Sequence, residues 1–313
     1  MSNATGQASP AINPPRAFDY AIVDVFAEQP LEGNALAIFT DARGLTTEQM
    51  QALARETNLC ETTFIVPRAA EIERERGVQV RIFTVQEELE FAGHPTLGTA
   101  SWIHLQHPCL RGRETVTLDL RVGSIPVQFT SQQDTQGVFG TMRQNDPVFG
   151  KVHDRAAVAA AVGLSPDDLD PALPIQTVST GLPFCIVPLR SLEVAARLAI
   201  PQPLAQAYLA VTDAKFFYCI TRASTGSNAD WHARMQFYNG EDAATGSASG
   251  GAISYLVHHG LVTPTQRQLI EQGVEMLRPS LIHVQATLDS GKVRDVLVGG
   301  RTIPIATGRF FLP

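Results

Sequence analysis

The sequence predicts an α+β protein of two pseudo-symmetric halves, each a curled β-sheet with a helix packed inside it. The first observation is a repeat. Arg81-Ile82-Phe83, Glu88, Gly93-His94 and Gly98 recur as Arg234-Met235-Gln236, Glu241, Gly246-Ser247 and Gly251. The differences 234−81, 241−88, 246−93 and 251−98 all equal 153, and Trp102 falls opposite Tyr255 by the same step. Self-similarity at a fixed offset marks a duplicated structural unit. The second observation is that each copy reads as strand, short acidic loop, Gly-containing turn and helix. The third is that short strands outnumber helices in both halves, a pattern of α+β architecture. Two related turns facing one cleft are a frequent way to build a small-molecule site.

The elements follow in order. Tyr20–Phe26, rich in β-branched and aromatic residues, reads as a strand, and a turn through Pro30-Leu31-Glu32-Gly33-Asn34 leads to a second strand, Ala35–Phe39. Thr46 and Gln49 form a capping box that opens a helix with Met50, Leu53 and Ala54 on its buried side. Thr62–Val66 and Val78–Thr84 are the next strands. Pro95 suits the first turn of a helix running to about His104, because its missing N–H would be unpaired there. Thr115–Leu120 and Ser124–Phe129 form a β-pair. The polar stretch Ser131–Gly140 is the boundary between halves.

The second half continues with a helix at Ala156–Val162, strands at Ile175–Val178 and Phe184–Val187, and a helix at Leu192–Leu198. Strands Lys215–Ile220 and Ala233–Tyr238 precede the second Gly turn and its helix, Ala248 to about His258. Val274–Met276, Leu281–Leu288 and Val293–Val298 close this half. Gly308–Leu312 can pair with either sheet. The expected organisation is a flexible leader over residues 1–17, an N-terminal half over 18–137 and a C-terminal half over 138–303. Residues 304–313 are an optional completion of the first half.

Composition narrows the function. A chain of 313 residues with 44% hydrophobic and 18% charged residues is ordinary for a globular protein. Its formal net charge of −7, without any basic run, argues against nucleic acid as a partner. No apolar stretch approaches the roughly 18 residues of a membrane span. The leader has neither the charged start nor the apolar segment of a signal peptide. Cys60, Cys109, Cys185 and Cys219 are widely spaced and form no Cys-x-x-Cys pair. They read as four free thiols in a reducing cytoplasm.

The candidate chemistry gathers at the Gly turns. Gly246-Ser247-Ala248-Ser249-Gly250-Gly251 places glycines and hydroxyls at a helix start, where backbone N–H groups and the helix dipole suit a carboxylate or phosphate. Equally, those glycines are what tight helix packing requires. No Lys follows them as in a P-loop, and Ala248 occupies the place of a nucleophilic Ser. Gly93-His94-Pro95 is the matching turn, so two helix N-termini can converge on one anion.

Glu61, between Cys60 and the apolar strand Phe64-Ile65-Val66, is the candidate acid/base, since a carboxyl against an apolar wall has a raised pKa. An ordinary surface Glu at a strand start is the commoner case. Asp242 is either catalytic or a loop or capping carboxylate, and His94 either catalytic or a satisfied buried histidine. Metal binding ranks low, because Pro108 interrupts His104, His107 and Cys109 and no second ligand pair follows. Cys60 has no evident base partner and is a weak nucleophile candidate.

At these residues the sequence resembles the PhzF-type isomerases of phenazine biosynthesis, which share the diaminopimelate epimerase-like fold. The matching stretches are Asp24-Val25-Phe26, Leu31-Glu32-Gly33-Asn34, Asn58 to Phe64, Arg81 to Thr84, Glu88-Leu89 and Phe91 to Pro95. Glu241 to Ala248, Gly273-Val274-Glu275 and Arg278-Pro279-Ser280 complete the set.

The resemblance implies a cofactor-free, metal-free isomerisation of a small cyclic carboxylate, trans-2,3-dihydro-3-hydroxyanthranilate, and a homodimeric, cytoplasmic enzyme. It implies that Glu61 carries the proton and that His94, Asp242 and Ser247 contact substrate or position protons. Gly93 and Gly246, with Thr245 and Cys60 beside them, would hold the substrate. The phenazine enzymes carry Ser immediately before the catalytic Glu, where this chain has Cys60, so the native substrate is open to difference. Amino-acid epimerases on this fold use a cysteine at each Gly turn, and His94 and Ser247 stand there instead. An epimerase using Asp242 as an opposing acid is the alternative enzyme. A non-catalytic binding protein on the same fold is the alternative class.

Overall fold

The structure, a computed structural model, describes residues 16–130, 137–238 and 240–312. Residues 1–15 of the expected leader and most of the expected inter-half stretch lie outside them, while Arg16 and Ala17 open the first strand instead of belonging to a leader. In chain order the structure contains β1 (Arg16–Val25), β2 (Asn34–Phe39), α1 (Thr47–Thr57), β3 (Thr62–Val66), α2 (Ala70–Arg76), β4 (Val78–Phe83), β5 (Glu88–Leu89), α3 (Gly93–Gln106), β6 (Thr115–Leu120), β7 (Gly123–Phe129) and β8 (Val138–Arg143). Next come β9 (Val148–His153), α4 (Arg155–Val162), β10 (Ile175–Ser179), β11 (Pro183–Pro188), α5 (Leu192–Ala196), α6 (Gln202–Leu209) and β12 (Phe216–Thr221). The chain ends with β13 (Trp231–Phe237), β14 (Gly240–Asp242), α7 (Gly246–His258), β15 (Gln268–Gln272), β16 (Ser280–Asp289) and β17 (Lys292–Leu312).

The duplication extends through the hydrogen-bond pattern. β1 pairs antiparallel with β2 as β10 does with β11, and β2 pairs parallel with β3 as β11 does with β12. β4 and β6 run parallel with α3 crossing between them, and β13 and β15 do the same around α7. The final strands exchange. β9 crosses to pair with β10, while the far end of β17 pairs with β1 from Thr302↔Val25 to Leu312↔Arg16. β8 and β17 pair with each other at the seam, with Gly140 opposite Gly300.

Both central helices are enclosed on every side, which explains their composition. All twelve residues from Gly246 to Val257 of α7 are buried, as are Gly93 to Ser101 of α3. A helix inside a curled sheet cannot keep a polar face, so its hydroxyls turn inward. Thr96, Ser101, Ser249 and Ser254 each donate to the carbonyl four residues earlier at 2.7–3.0 Å. Small residues admit the sheet: a Cβ on Gly98 would lie 2.7 Å from both Leu36 and Val25 methyl groups.

The repeated Arg and Glu form the same clamp twice. Arg81 grips Glu88 through Nε and Nη2 at 2.8 and 2.7 Å, and Arg234 grips Glu241 at 2.7 and 2.6 Å. Each fork ties a long strand to the short one that leads into a central helix, a bidentate geometry that fixes direction as well as distance.

Outside the shared frame the halves differ. The capping box of α1 is present, and Met50, Leu53 and Ala54 cover Phe39, Phe64 and Phe83 on the first half. On the second, α4, α5 and α6 cover a separate core that includes buried Cys185 and Cys219. The sequence reading omitted α2, α6, β8, β9 and β15, began α3 and α7 two residues late, and left Val274–Met276 untyped. That segment is a 3₁₀ turn.

The helices α3 and α7 meet end to end at the seam. A Cβ on Gly93 would stand 2.5 Å from the Ser247 nitrogen and 2.8 Å from the Gly246 carbonyl carbon. Backbone cannot yield as a side chain would, so Gly93→Ala should cost about 1–3 kcal/mol by overpacking. Thermal unfolding of the variant beside wild type checks this, and an unchanged melting temperature would refute the contact.

Candidate active site

The meeting of α3 and α7 gathers residues from both halves. Glu61 enters from the loop between α1 and β3, after Asn58 ends α1 in a left-handed conformation. His94 is the second residue of α3. Asp242 ends β14, and Thr245 is the N-cap of α7. Glu61 Oε2 lies 3.5 Å from His94 Nε2. Both atoms are sealed from solvent, and neither has a hydrogen-bond partner. The rest of the Glu61 side chain is 15% exposed, so the acid has one open edge.

Two amides set the protons around this pair. Gln272 accepts from the Thr245 backbone N–H at 3.1 Å and donates to the Asp242 carbonyl at 2.8 Å. Its orientation is therefore fixed, and its NH₂ also donates to Thr245 Oγ1 at 2.9 Å. The Thr245 hydroxyl, already an acceptor, sends its own hydrogen to Asp242 Oδ2 at 2.6 Å. Asn34 is fixed likewise: its NH₂ faces the Ala244 carbonyl at 3.0 Å, Asp242 Oδ1 at 2.6 Å and His94 Nδ1 at 3.2 Å. Both Asp242 oxygens thus receive donors, and the Cys60 thiol adds another. With an amide NH₂ facing Nδ1, a neutral His94 carries its hydrogen on Nε2, toward Glu61.

Electrostatics agree with this arrangement. Burial, then the nearby Asp242 charge, pushes the Glu61 carboxyl well above its usual range. Burial raises Asp242 to about 6, while its bonds from Thr245, Asn34 and Cys60 oppose that rise. Burial alone lowers His94 to about 3, leaving a neutral imidazole at physiological pH. Two adjacent buried carboxyls cannot both ionise cheaply, so the pair holds a proton. The donors around Asp242 favour its charged form and leave that proton to Glu61.

Glu61, Asp242, Thr245 and Ser247 line a small pocket of about 40 Å³, with an apolar wall that includes Phe184, Phe216, Phe237 and Tyr238. A larger, more open hollow beside α6 shares Phe216, Phe237 and Tyr238 but contains none of the buried acids or His94. Gly93 and Gly246 press on one another beside the pocket, and Ala92, Thr245 and Ser247 are the neighbours that reach its wall. Cys60 turns to Asp242, and its thiol is pushed far up by burial and by the Asp242 and Glu61 charges. Sequence reasoning missed Asn34 and Gln272. Asn34 offered one signal, its place in the Gly33-Asn34 turn, and Gln272 offered none.

Among the described residues no group of three His, Cys, Asp or Glu side chains is arranged to hold a metal ion. No described helix is long and apolar enough to cross a membrane. All four cysteines are free, Cys109 being exposed.

Comparison with known proteins places this geometry. A Bacillus anthracis phenazine biosynthesis protein of the PhzF family superposes with a TM-score of 0.83 at 26% identity, covering 94% of this chain and 99% of that one. A hydroxyproline epimerase from Agrobacterium vitis shares the fold at a TM-score of 0.64 and 11% identity, over 95% and 93% of the two chains. The trans-2,3-dihydro-3-hydroxyanthranilate isomerase of Pseudomonas aeruginosa is 33% identical over 296 residues, 94% of this chain and 99% of the relative. The class is therefore an isomerase on the diaminopimelate epimerase-like fold. The PhzC-PhzF profile, described as phenazine biosynthesis-like protein, matches residues 23–308, and the chain belongs to that family.

The proton placement is measurable. Nitrogen chemical shifts should show His94 neutral, with its hydrogen on Nε2, as pH falls through 6.5 toward about 3. The folded value lies below the unfolded one, so His94 contributes stability that is present above pH 6.5 and lost as pH falls toward about 3. Asp242 runs the other way, its contribution being lost as pH rises from 3.8 through about 6. Comparing wild type with His94→Gln isolates the histidine. Below pH 6.5 wild type should lose stability faster than the variant, and parallel curves would refute the assignment.

Proposed function

We propose that this isomerase moves a proton between two carbons of a small cyclic carboxylate of the trans-2,3-dihydro-3-hydroxyanthranilate kind, with Glu61 as the carrier. The observation that supports it most is the sealed, unpartnered approach of Glu61 Oε2 to His94 Nε2 at 3.5 Å. Burial and Asp242 hold the Glu61 carboxyl above its usual range, where it can be neutral or ionised near neutral pH. One group can then give a proton to one carbon and, as carboxylate, remove one from another. The substrate is rearranged with no change in composition, and Glu61 returns to its starting form.

In this reading the neutral His94 offers its Nε2–H to the forming carboxylate, and Asp242 stays charged as an anchor for a polar or cationic substituent. Ser247, Thr245 and the helix starts at Gly93 and Gly246 receive the substrate carboxylate, as helix N-termini suit anions. The aromatic wall takes the ring. The similarity to the Pseudomonas aeruginosa enzyme supports the substrate class. The division into halves at 18–137 and 138–303, with 304–313 returning to the first, belongs to the same reading. The pairing of β17 with β1 supports the return. We also infer a homodimer, and a monomer by light scattering would refute it.

The decisive measurement is turnover of trans-2,3-dihydro-3-hydroxyanthranilate by Glu61→Gln beside wild type. The amide keeps the shape but cannot carry the proton, so kcat should fall by about 10²–10⁴ while ligand binding survives. Asp242→Asn and His94→Ala should lower binding and rate together. Full activity in Glu61→Gln would overturn the mechanism. Solvent deuterium appearing at an inverted stereocentre would favour an epimerase instead.

A further inference from the structure

The first half carries another pocket, open and about 470 Å³. Its lining is dominated by charge: Arg68, Arg76, Arg81, Arg121, Glu88 and Asp119. β4 and β6 run parallel there with Gln79 opposite Asp119, and residues two apart on a strand share a face. Arg81, two residues beyond Gln79 on β4, and Arg121, in the turn just after β6, both line the pocket.

Four guanidinium groups share two carboxylates. Arg81 holds Glu88 bidentately, and Arg68 holds Asp119 at 2.7 Å. Arg76 and Arg121 reach the same two acids only at 3.4 and 3.3 Å, and their side chains are 61% and 58% exposed. The local sum is four positive charges less two negative, a surplus of two in a chain of net charge −7. In addition, Arg68 Nε is buried without a hydrogen-bond partner.

The sister half is an internal control. There His232 stands opposite Glu271 as Gln79 does opposite Asp119, and Arg234 holds Glu241 as Arg81 holds Glu88. That cluster adds Glu275, so three acids face one arginine and one histidine. The second fork of Arg234 is occupied by the Ala195 and Leu198 carbonyls. The sister frame is thus complete with a single arginine clamp; in the first half Arg68 ties Asp119 and the Gly77 carbonyl, while Arg76 and Arg121 add only long, exposed contacts to acids already paired.

We propose that this pocket binds a phosphate group, either inorganic phosphate or a phosphomonoester, with Arg76 and Arg121 as its ligands. Exposed ion pairs hold weakly, so both side chains are available to a doubly charged oxyanion. Guanidinium matches phosphate oxygens in pairs, and Arg68 and Arg81 sit behind with their acids already neutralised.

The test titrates the full chain with inorganic phosphate and, separately, glycerol 1-phosphate at constant ionic strength, reading heat and melting temperature. Saturable binding of either by wild type is expected, and whichever binds more tightly identifies the source. Arg76→Gln/Arg121→Gln should weaken it by about 10-fold or more for each charged hydrogen bond lost. Turnover should be unchanged, since neither residue touches the active pocket. Arg121→Gln alone, which leaves Asp119 fully paired, gives the same reading should the double variant fail to fold. No saturable binding, or binding that survives in the variants at the helix N-termini, would overturn the proposal.

Discussion

The contact between Gly93 and Gly246 is the constraint from which the rest of the site follows. A Cβ on Gly93 would strike the Gly246–Ser247 backbone, so the two buried helices can begin at the same point only with glycine at 93, while a Cβ on Gly246 would meet the Phe26 ring at 3.0 Å. Their N-termini each bear a partial positive charge, and placing them together is unfavourable unless an anion is near. Asp242 supplies that anion, with donors from Asn34, Thr245 and Cys60 on its oxygens. Its charge, added to desolvation, raises Glu61. A packing requirement at two glycines thus sets the protonation of a carboxyl that neither of them touches.

The duplication explains why the two halves bring different side chains to the seam. Both halves keep the Arg–Glu clamp, the parallel strand pair and the enclosed helix, because these deliver a helix start to the seam. Beyond the frame the copies are free to diverge. At the seam one helix start brings His94 and the other Ser247. Glu61 comes from the first half and Asp242 from the second, so the two carboxyls occupy unrelated positions with different partners. One is held by a full set of donors, and the other is left with an unmatched buried oxygen.

Much of this was legible in the sequence. The constant offset exposes the duplicated strand–loop–helix, and the capping box at Thr46 and Gln49 appears as the spacing predicts. The apolar strand after Glu61 announces desolvation, which proves the largest influence on it. What could not be read depends on distance along the chain. Asp242 raises Glu61 only because the halves fold together. Gln272 orients Asp242 from a strand that looks, locally, like any half-buried segment, and β15 itself lacked the alternation that would have revealed it. Helix α2 is short and buries none of its residues, so it leaves no apolar period to detect, and α6 is a short helix that buries only Ala205.

Cys60 shows how the same arrangement decides between chemistries. A thiol beside a general acid suggests nucleophilic or racemising chemistry, which requires a thiolate. Here the thiol is buried against Asp242 and Glu61, and burial and both charges push its ionisation up. Any base able to ionise it would first have to overcome the repulsion of Asp242. The thiol instead serves as a weak donor to that carboxylate, helping to keep Asp242 charged and the shared proton on Glu61. The site that raises one carboxyl thereby silences the neighbouring thiol, and the two effects have a single electrostatic origin.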